Sequence, residues 1–337
     1  MSDEIDIAAL TAWFAREVPG FRGPLAAARI AGGQSNPTYR LSAPSGDYVL
    51  RRKPPGPLLP SAHAVEREFR VMKALQGSAV PVPPIHALCE DDGVIGSTFF
   101  VMGFVPGRVF MDARLPGEAP ADRAAIFDSM NATIAALHSV DVGAVGLGDF
   151  GRPGNYMARQ IGRWTKQYRA SETEDIPAMN ALIDWLGAYT PPEDRVAIVH
   201  GDYRMDNLLL HPSEPRAVAL LDWELSTLGD PIADFAYHCM AWRIPPDLFR
   251  GLAGTDLLAH GIPSEAEYVA RYCERTGRSG IPDWTYYIAY GLFRLAAIMQ
   301  GIAKRAIDGT AASTDAVEMG RKARPLAELG WSIARGG

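Results

Sequence analysis

The apolar positions of this chain change rhythm part-way along it. Up to about residue 100 they come in short runs of β type between Gly/Pro turns, and after about residue 120 they recur with helical spacing over long stretches. Residues 28–30, 38–41 and 48–51 read as three antiparallel strands, parted by the turn-rich residues 31–36 and by Ala43-Pro44-Ser45-Gly46. A helix is predicted next over residues 61–75, with Val65, Phe69, Met72 and Leu75 on one stripe and Ser61 as its cap. The Pro-rich residues 80–84 close it, two more strands follow over 85–88 and 98–104, and Pro106-Gly107 marks a hinge.

Beyond the hinge, helices are predicted over residues 122–138, 154–169, 175–189, 265–276, 283–308 and 315–334, the last broken or kinked at Pro325. Two apolar runs, 196–199 and 217–221, read as strands set among these helices. The fold class expected is therefore α+β with two lobes: a small antiparallel-sheet lobe over residues 1–105 and a larger, mainly helical lobe over residues 106–337. Tyr286, Tyr290 and Phe293 lie at helical spacing and read as core packing.

Composition narrows the classes. A length of 337 residues suits two lobes sharing a cleft, and 47% hydrophobic with 21% charged residues excludes general disorder. No window approaches the roughly 18 apolar residues of a membrane span, and the acidic MSDEIDIAAL start lacks the basic character of a secretory signal. A cytoplasmic chain is the expectation. Cys89, Cys239 and Cys273 are widely spaced with no CxxC pair, which supports neither a disulfide framework nor a thiolate zinc site. A net charge of −6, with no basic run longer than Arg51-Arg52-Lys53, argues against nucleic acid as partner.

The candidate chemistry lies in His200-Gly201-Asp202-Tyr203-Arg204-Met205-Asp206-Asn207 and in Leu220-Leu221-Asp222, two strand ends whose carboxylates stand 20 residues apart. Phosphoryl transfer needs one carboxylate to orient an attacking hydroxyl and take its proton, and oxygen ligands to hold magnesium on a triphosphate. Asp202 fits the first role, Asn207 and Asp222 the second. A metal-dependent hydrolase built on His200, Asp202, His211 and Asp222 is the weaker alternative, because His211 sits at a turn before Pro212 and a second histidine cluster is missing.

These motifs, with Gly229-Asp230-Pro231-Ile232-Ala233-Asp234, resemble the aminoglycoside phosphotransferase superfamily over most of the chain. Residues 48–56, Val65-Glu66-Arg67-Glu68 and Gly151-Arg152-Pro153-Gly154-Asn155-Tyr156 look most like its branch of kinase-like domains associated with acyl-CoA dehydrogenases. The resemblance implies a protein-kinase-like fold and a Mg2+- and ATP-dependent transfer of the γ-phosphoryl group to a hydroxyl of a small molecule. It makes Asp202 the catalytic base and Asn207 and Asp222 the metal ligands. Arg51 and Glu68 become the strand cation and helix carboxylate that hold the α/β-phosphates, with Arg51 where many relatives have Lys. Gly32, Gly33 and Ser35 become the loop over the phosphates, and Phe104 and Val105 the hinge whose backbone meets adenine, a contact that does not separate ATP from GTP.

The acceptor implied by the branch is a hydroxyacyl thioester or related metabolite. An aminoglycoside or other amino-alcohol is the alternative, and a nucleotide-binding pseudokinase or scaffold is the reading from another class. Trp242, Arg243, Asn155 and Tyr156 are candidates for the acceptor pocket. His200 reads as a hydrogen-bonded loop residue, Arg204 and Asp206 as loop braces, and Glu224 as an addition to the metal site or a solvated carboxylate. Asp230 and Asp234 read as caps or braces of the helix that follows.

Overall fold

The computed structural model describes residues 5–30, 36–54, 63–152, 154–192, 195–311 and 315–336. It opens with a helix absent from the sequence expectation, α1 (Ile7–Glu17), capped by the Asp6 carboxylate, which accepts from the Ala9 N–H at 2.9 Å. Leu10, Trp13 and Phe14 form its buried face, and they meet Phe99 and Tyr48 edge to face.

Strands β1 (Ala26–Arg29), β2 (Thr38–Ala43) and β3 (Gly46–Arg52), helix α2 (Val65–Leu75), and strands β4 (Ile85–Cys89) and β5 (Phe99–Gly103) follow in order. The strands make one antiparallel five-stranded sheet, β1-β2-β3-β5-β4. Alternation along β3 puts Tyr48 and Leu50 into the core shared with α1, and Val49 into the core shared with α2, so Arg51 also faces α2. The described part of α2 starts at Val65, without a side-chain cap; Ser61, the expected cap, lies outside the described residues.

The remainder is mainly helical: α3 (Pro120–His138), α4 (Tyr156–Ser171) and α5 (Pro177–Ala188), then strands β6 (Ala197–Val199), β7 (Leu208–Leu210), β8 (Ala217–Leu220) and β9 (Thr227–Gly229). Helices α6 (Pro231–Cys239), α7 (Pro246–Phe249), α8 (Leu257–His260), α9 (Glu265–Thr276), α10 (Trp284–Ile307), α11 (Ala316–Arg321) and α12 (Ala323–Ala334) complete the chain. The central α10 packs against α4, α6 and α12, and Tyr286, Tyr290 and Phe293 are buried in it, as their spacing implies. The last helical stretch divides at Lys322, and Pro325 falls in the first turn of α12, where a missing N–H breaks no helical bond.

Two short ribbons place the chemistry. β6 pairs with β9 and β7 with β8, both antiparallel. The Leu208↔Leu220 pair and the 2.8 Å bond from Leu221 N to the Asn207 carbonyl bring Asn207 and Asp222 out at the same end of the β7–β8 ribbon. The bridge between Arg108 and Leu210 ties that ribbon to the segment just after Pro106-Gly107. Among the described residues, no helix is long and apolar enough to cross a membrane.

Candidate active site

At the end of β6 the chain turns through His200, Gly201 and Asp202. Gly201 has φ 83°, and a Cβ there would lie 2.6 Å from the Leu225 carbonyl, so the turn requires glycine. Asp234, in the first turn of α6 and buried, accepts from the N–H groups of His200 at 2.7 Å and Gly201 at 2.9 Å, with His138 Nε2 at 3.2 Å. These partners hold its carboxyl below the usual carboxylate range in spite of burial. The guanidinium of Arg294, from α10, donates to the Gly201 carbonyl. His200 is fully buried, with Nε2 2.9 Å from the Leu221 carbonyl and Nδ1 accepting from Asp202 N at 3.3 Å, which makes it the structural loop histidine that its position implies.

The Asp202 carboxylate faces Arg204, with Nε 3.0 Å from Oδ1 and a terminal nitrogen 3.1 Å from Oδ2. Asn207 Nδ2 donates to the Asp202 carbonyl at 2.8 Å and to its carboxylate at 3.2 Å. That pair of bonds fixes the Asn207 amide so that its Oδ1 is the group left to accept. Asp206 is braced by Arg250 and lies 3.5 Å from Arg204. Asp222 adopts a left-handed backbone, φ 65°, a conformation that Asp tolerates better than most residues and that is concentrated at functional loops.

Arg51 reaches Asp222 from the sheet. Its Nε stands 3.1 Å from Glu68 Oε2 and a terminal nitrogen 2.8 Å from Asp222 Oδ1, with Glu224 at 3.7 Å. Residues 171 positions apart are thus in direct contact. Glu68 is 1% exposed and also accepts from Asn36 Nδ2 at 3.0 Å, while Asn36 Oδ1 meets His63 at 3.1 Å. Burial pushes the Glu68 carboxyl up to about 8, against the pull of Arg51, and the neighbouring Asp222 and Glu224 charges add to the rise. Lys53, on the same stretch, is engaged elsewhere, 2.9 Å from Glu66.

A cavity of about 250 Å³ opens between these groups and the hinge, lined among others by Val49, Arg51, Glu68, Phe104, Val105 and Asp222. The Phe104 N–H is already given to the Asp47 carbonyl at 3.1 Å, which narrows the hinge contribution expected from Phe104 to its carbonyl. Gly32, Gly33 and Ser35 lie outside the described residues. The donor set of one amide oxygen and one carboxylate fits a hard cation that arrives with its own oxygen ligands, as magnesium on a triphosphate does. Among the described residues no group of three His, Cys, Asp or Glu side chains gathers to hold a metal, and His211 turns back on Ser213 and Glu214, so the four-residue hydrolase set is not assembled.

A second, larger cavity of about 760 Å³ lies on the other side of the Gly201 turn, between α4, the start of α2 and residues 224–228. Tyr156 lines it, in keeping with its candidacy, whereas Trp242 donates to the Pro263 carbonyl inside the core and Arg243 pairs with Glu265 at 2.5 Å. Asp230 caps α6 through Ile232 N at 2.8 Å, but Asp234 braces the Gly201 turn rather than its own helix. The sequence reading missed the arginines of this cavity, although Tyr156, Arg159, Gln160, Arg163 and Trp164 stand at i, i+3, i+4, i+7 and i+8 of α4 and so share one face.

Residues 26–287 match the phosphotransferase enzyme family. The chain is 48% identical to acyl-CoA dehydrogenase family member 10 of Mus musculus over 93% of its own length and 29% of that protein's. It is 41% identical to acyl-CoA dehydrogenase family member 11 of Rattus norvegicus over 98% of its length and 44% of that protein's. It therefore spans less than half the length of these curated relatives. A crystal structure from Ralstonia eutropha, provisionally named an aminoglycoside phosphotransferase, superposes with a TM-score of 0.92 at 55% identity, covering 99% of each chain. A thermostable mutant of the aminoglycoside phosphotransferase APH(4)-Ia, solved with ADP and hygromycin B, shares the fold at a TM-score of 0.62 and 16% identity, covering 98% of each chain. With a family match over most of its length and relatives at this identity, the chain belongs to the phosphotransferase enzyme family, in the branch of kinase-like domains found with acyl-CoA dehydrogenases, and has its bilobal protein-kinase-like fold.

Proposed function

We propose that this chain is a magnesium- and ATP-dependent phosphotransferase that moves the γ-phosphoryl group to a hydroxyl of a small molecule. The observation that carries the reading is that Asn207, bonded to Asp202, is tied through its carbonyl to Leu221, next to Asp222, while Arg51, paired with Glu68, reaches Asp222 in the wall of the cavity. In this reading residues 1–105 hold the nucleotide and residues 106–337 supply the catalytic loop and the acceptor cavity. Asp202 takes the proton of the acceptor hydroxyl while that oxygen bonds the γ-phosphorus and the bond to the β-phosphate oxygen breaks, which yields ADP and a phosphate ester. Asn207 Oδ1 and Asp222 would hold magnesium, which supplies charge neutralisation on the phosphates when bound. Arg51, kept in place by Glu68, would meet phosphate oxygens with a planar fork rather than a point charge. Phe104 and Val105 offer backbone groups to the base of the nucleotide.

The preferred acceptor is a hydroxyacyl thioester. The relatives' names point to acyl-CoA chemistry, and the second cavity is basic, which suits an anionic acceptor better than a polycationic aminoglycoside. A screen of ATP consumption across hydroxyacyl-CoAs, aminoglycosides, choline and sugars tests the choice, with the Asp202→Asn protein as control. Failure of magnesium–ATP to raise the melting temperature of the wild-type chain would remove the reading altogether.

A further inference from the structure

The second cavity carries more positive charge than packing requires. Arg67, Arg152, Arg159, Arg163 and Arg294 line it, and among the described residues Glu224 is the one carboxylate in its wall, itself drawn toward Arg51. Two of these arginines are placed by carbonyls and rings: Arg67 donates to the Phe150 carbonyl at 2.7 Å and lies over the Phe150 ring at 4.2 Å, and Arg294 donates to the Gly201 carbonyl; Arg159 donates to the Arg152 carbonyl at 2.8 Å. Arg294 is 6% exposed, stacks 4.2 Å from the Tyr237 ring centre and 5.2 Å from that of Trp164, and its Nε has no hydrogen-bond partner. A guanidinium buried in this way without a contacting carboxylate is costly to the fold, and the cost is offset when an anion arrives. The helix face of Arg159 and Arg163 adds two forks on the same wall, one turn apart, anchored by the buried Tyr156 and Trp164.

We propose that this cavity is an anion subsite of the phosphoryl acceptor, in which the arginines of α4 and its flanks hold phosphate groups on the acceptor's carrier portion. The inference rests on the phosphotransferase reading and adds to it the charge class of the acceptor and the residues that select it. Phosphate is favoured over a lone carboxylate because a wall of five guanidiniums and one carboxylate around about 760 Å³ exceeds what one carboxylate would use. The same charge repels amino-sugars, so the wall selects by exclusion as well as by attraction. Arg294 is the cavity arginine tied to the turn that carries Asp202, through its bond to the Gly201 carbonyl.

The test is calorimetric titration of the full chain, its nucleotide pocket saturated with magnesium–ADP. The probes are coenzyme A, pantetheine, which lacks the phosphates, and citrate, a polycarboxylate. Coenzyme A is expected to bind, pantetheine and citrate at least tenfold more weakly, and the Arg159→Gln/Arg163→Gln double variant to lose at least tenfold in coenzyme A affinity. Lys166→Gln, on the same helix outside the cavity wall, is expected to change nothing. Equal binding of pantetheine or citrate, or unchanged coenzyme A binding in the double variant, overturns the subsite. Retained magnesium–ADP binding in that variant shows that its fold is intact. Absence of magnesium–ADP binding in the wild type instead sinks the phosphotransferase reading, so the two failures are told apart.

Discussion

Asp234→Asn isolates the device that holds the turn carrying Asp202. The wild-type carboxylate accepts the Gly201 N–H on Oδ1, and the His200 N–H and His138 Nε2 on Oδ2, all of it buried. An Asn amide keeps the volume but offers one oxygen. If that oxygen takes the place of Oδ2, the Gly201 N–H faces an NH2 group, and the turn loses one charge-assisted bond and gains two opposed donors. A hydrogen bond to a charged group contributes about 1.5–3 kcal/mol, and weakening the His200 bond to a neutral acceptor removes roughly another 1 kcal/mol. The expected loss is therefore about 2.5–4 kcal/mol of unfolding free energy at pH 7, a large share of a typical domain's 5–15 kcal/mol but short of unfolding it. Urea denaturation of wild type and variant measures this directly. Because the lost bonds are at Gly201, next to Asp202, kcat should fall at least tenfold while the nucleotide KM moves little. A stability loss below 1 kcal/mol, or unchanged kcat with the expected loss, would show that the turn is held by other contacts.

Asp202→Asn should lower kcat by about 10²–10⁴-fold, the usual worth of a general base, with nucleotide affinity within a few-fold; unchanged turnover in a coupled ATPase assay removes the residue from that role. Asp222→Ala is expected to abolish the magnesium-dependent part of the thermal shift with ATP, and persistence of that shift refutes its place at the metal. Glu68 titrates near 8 when folded and near 4.5 as a free carboxyl, so the folded chain holds the extra proton and loses stability as pH climbs through that window. Glu68→Gln should flatten the decline between about pH 5 and 8 in urea titrations, and an identical decline in the variant would place the cause elsewhere. A methyl at Gly229 would enter the ring of Tyr156, so Gly229→Ala should cost about 1–3 kcal/mol by thermal melting and disturb the acceptor cavity wall, whereas a melting point within 1 °C would mean that Tyr156 moves freely.

The legible parts of the molecule are those whose periodicity is long or whose residues are neighbours in sequence. The strands of the sheet, the stripe on α2 and the long α10 all carry several turns or alternations of pattern. Helix α1 lies in a region whose flanks carry turn residues, and β7 and β9 are three-residue strands set directly against the polar motif residues, which hide them. His200 to Asn207 announce themselves as a local motif, but the clamp on that motif does not. Asp234 lies 34 positions from His200, and Arg294 lies 93 from Gly201, so their roles follow from packing of α6 and α10 rather than from any spacing along the chain. The arginine face of α4 was visible as a helical stripe, yet a charged stripe ordinarily faces water, and what distinguishes this one is the wall opposite it.

The charge balance at Arg51 links the two halves of the site. One guanidinium meets three carboxylates, Glu68, Asp222 and Glu224, so these four side chains, fully ionised, carry two surplus negative charges around the buried Glu68. The protein has two ways to relieve that excess. A proton can remain on Glu68, which is what its raised pKa expresses, or positive charge can arrive at Asp222. In the proposed reading Asp222 and the Asn207 amide would hold a divalent cation, whose charge would offset the surplus, and Glu68 would then stay ionised against Arg51, the guanidinium that faces phosphate. Arginine suits this arrangement better than lysine, because a planar fork can lie against Glu68 at Nε, 3.1 Å away, and still donate from a terminal nitrogen to Asp222, two contacts from one rigid group. An Arg51→Lys chain should hence keep either the Glu68 or the Asp222 contact but not both, so that nucleotide affinity becomes more strongly dependent on magnesium concentration than in the wild type.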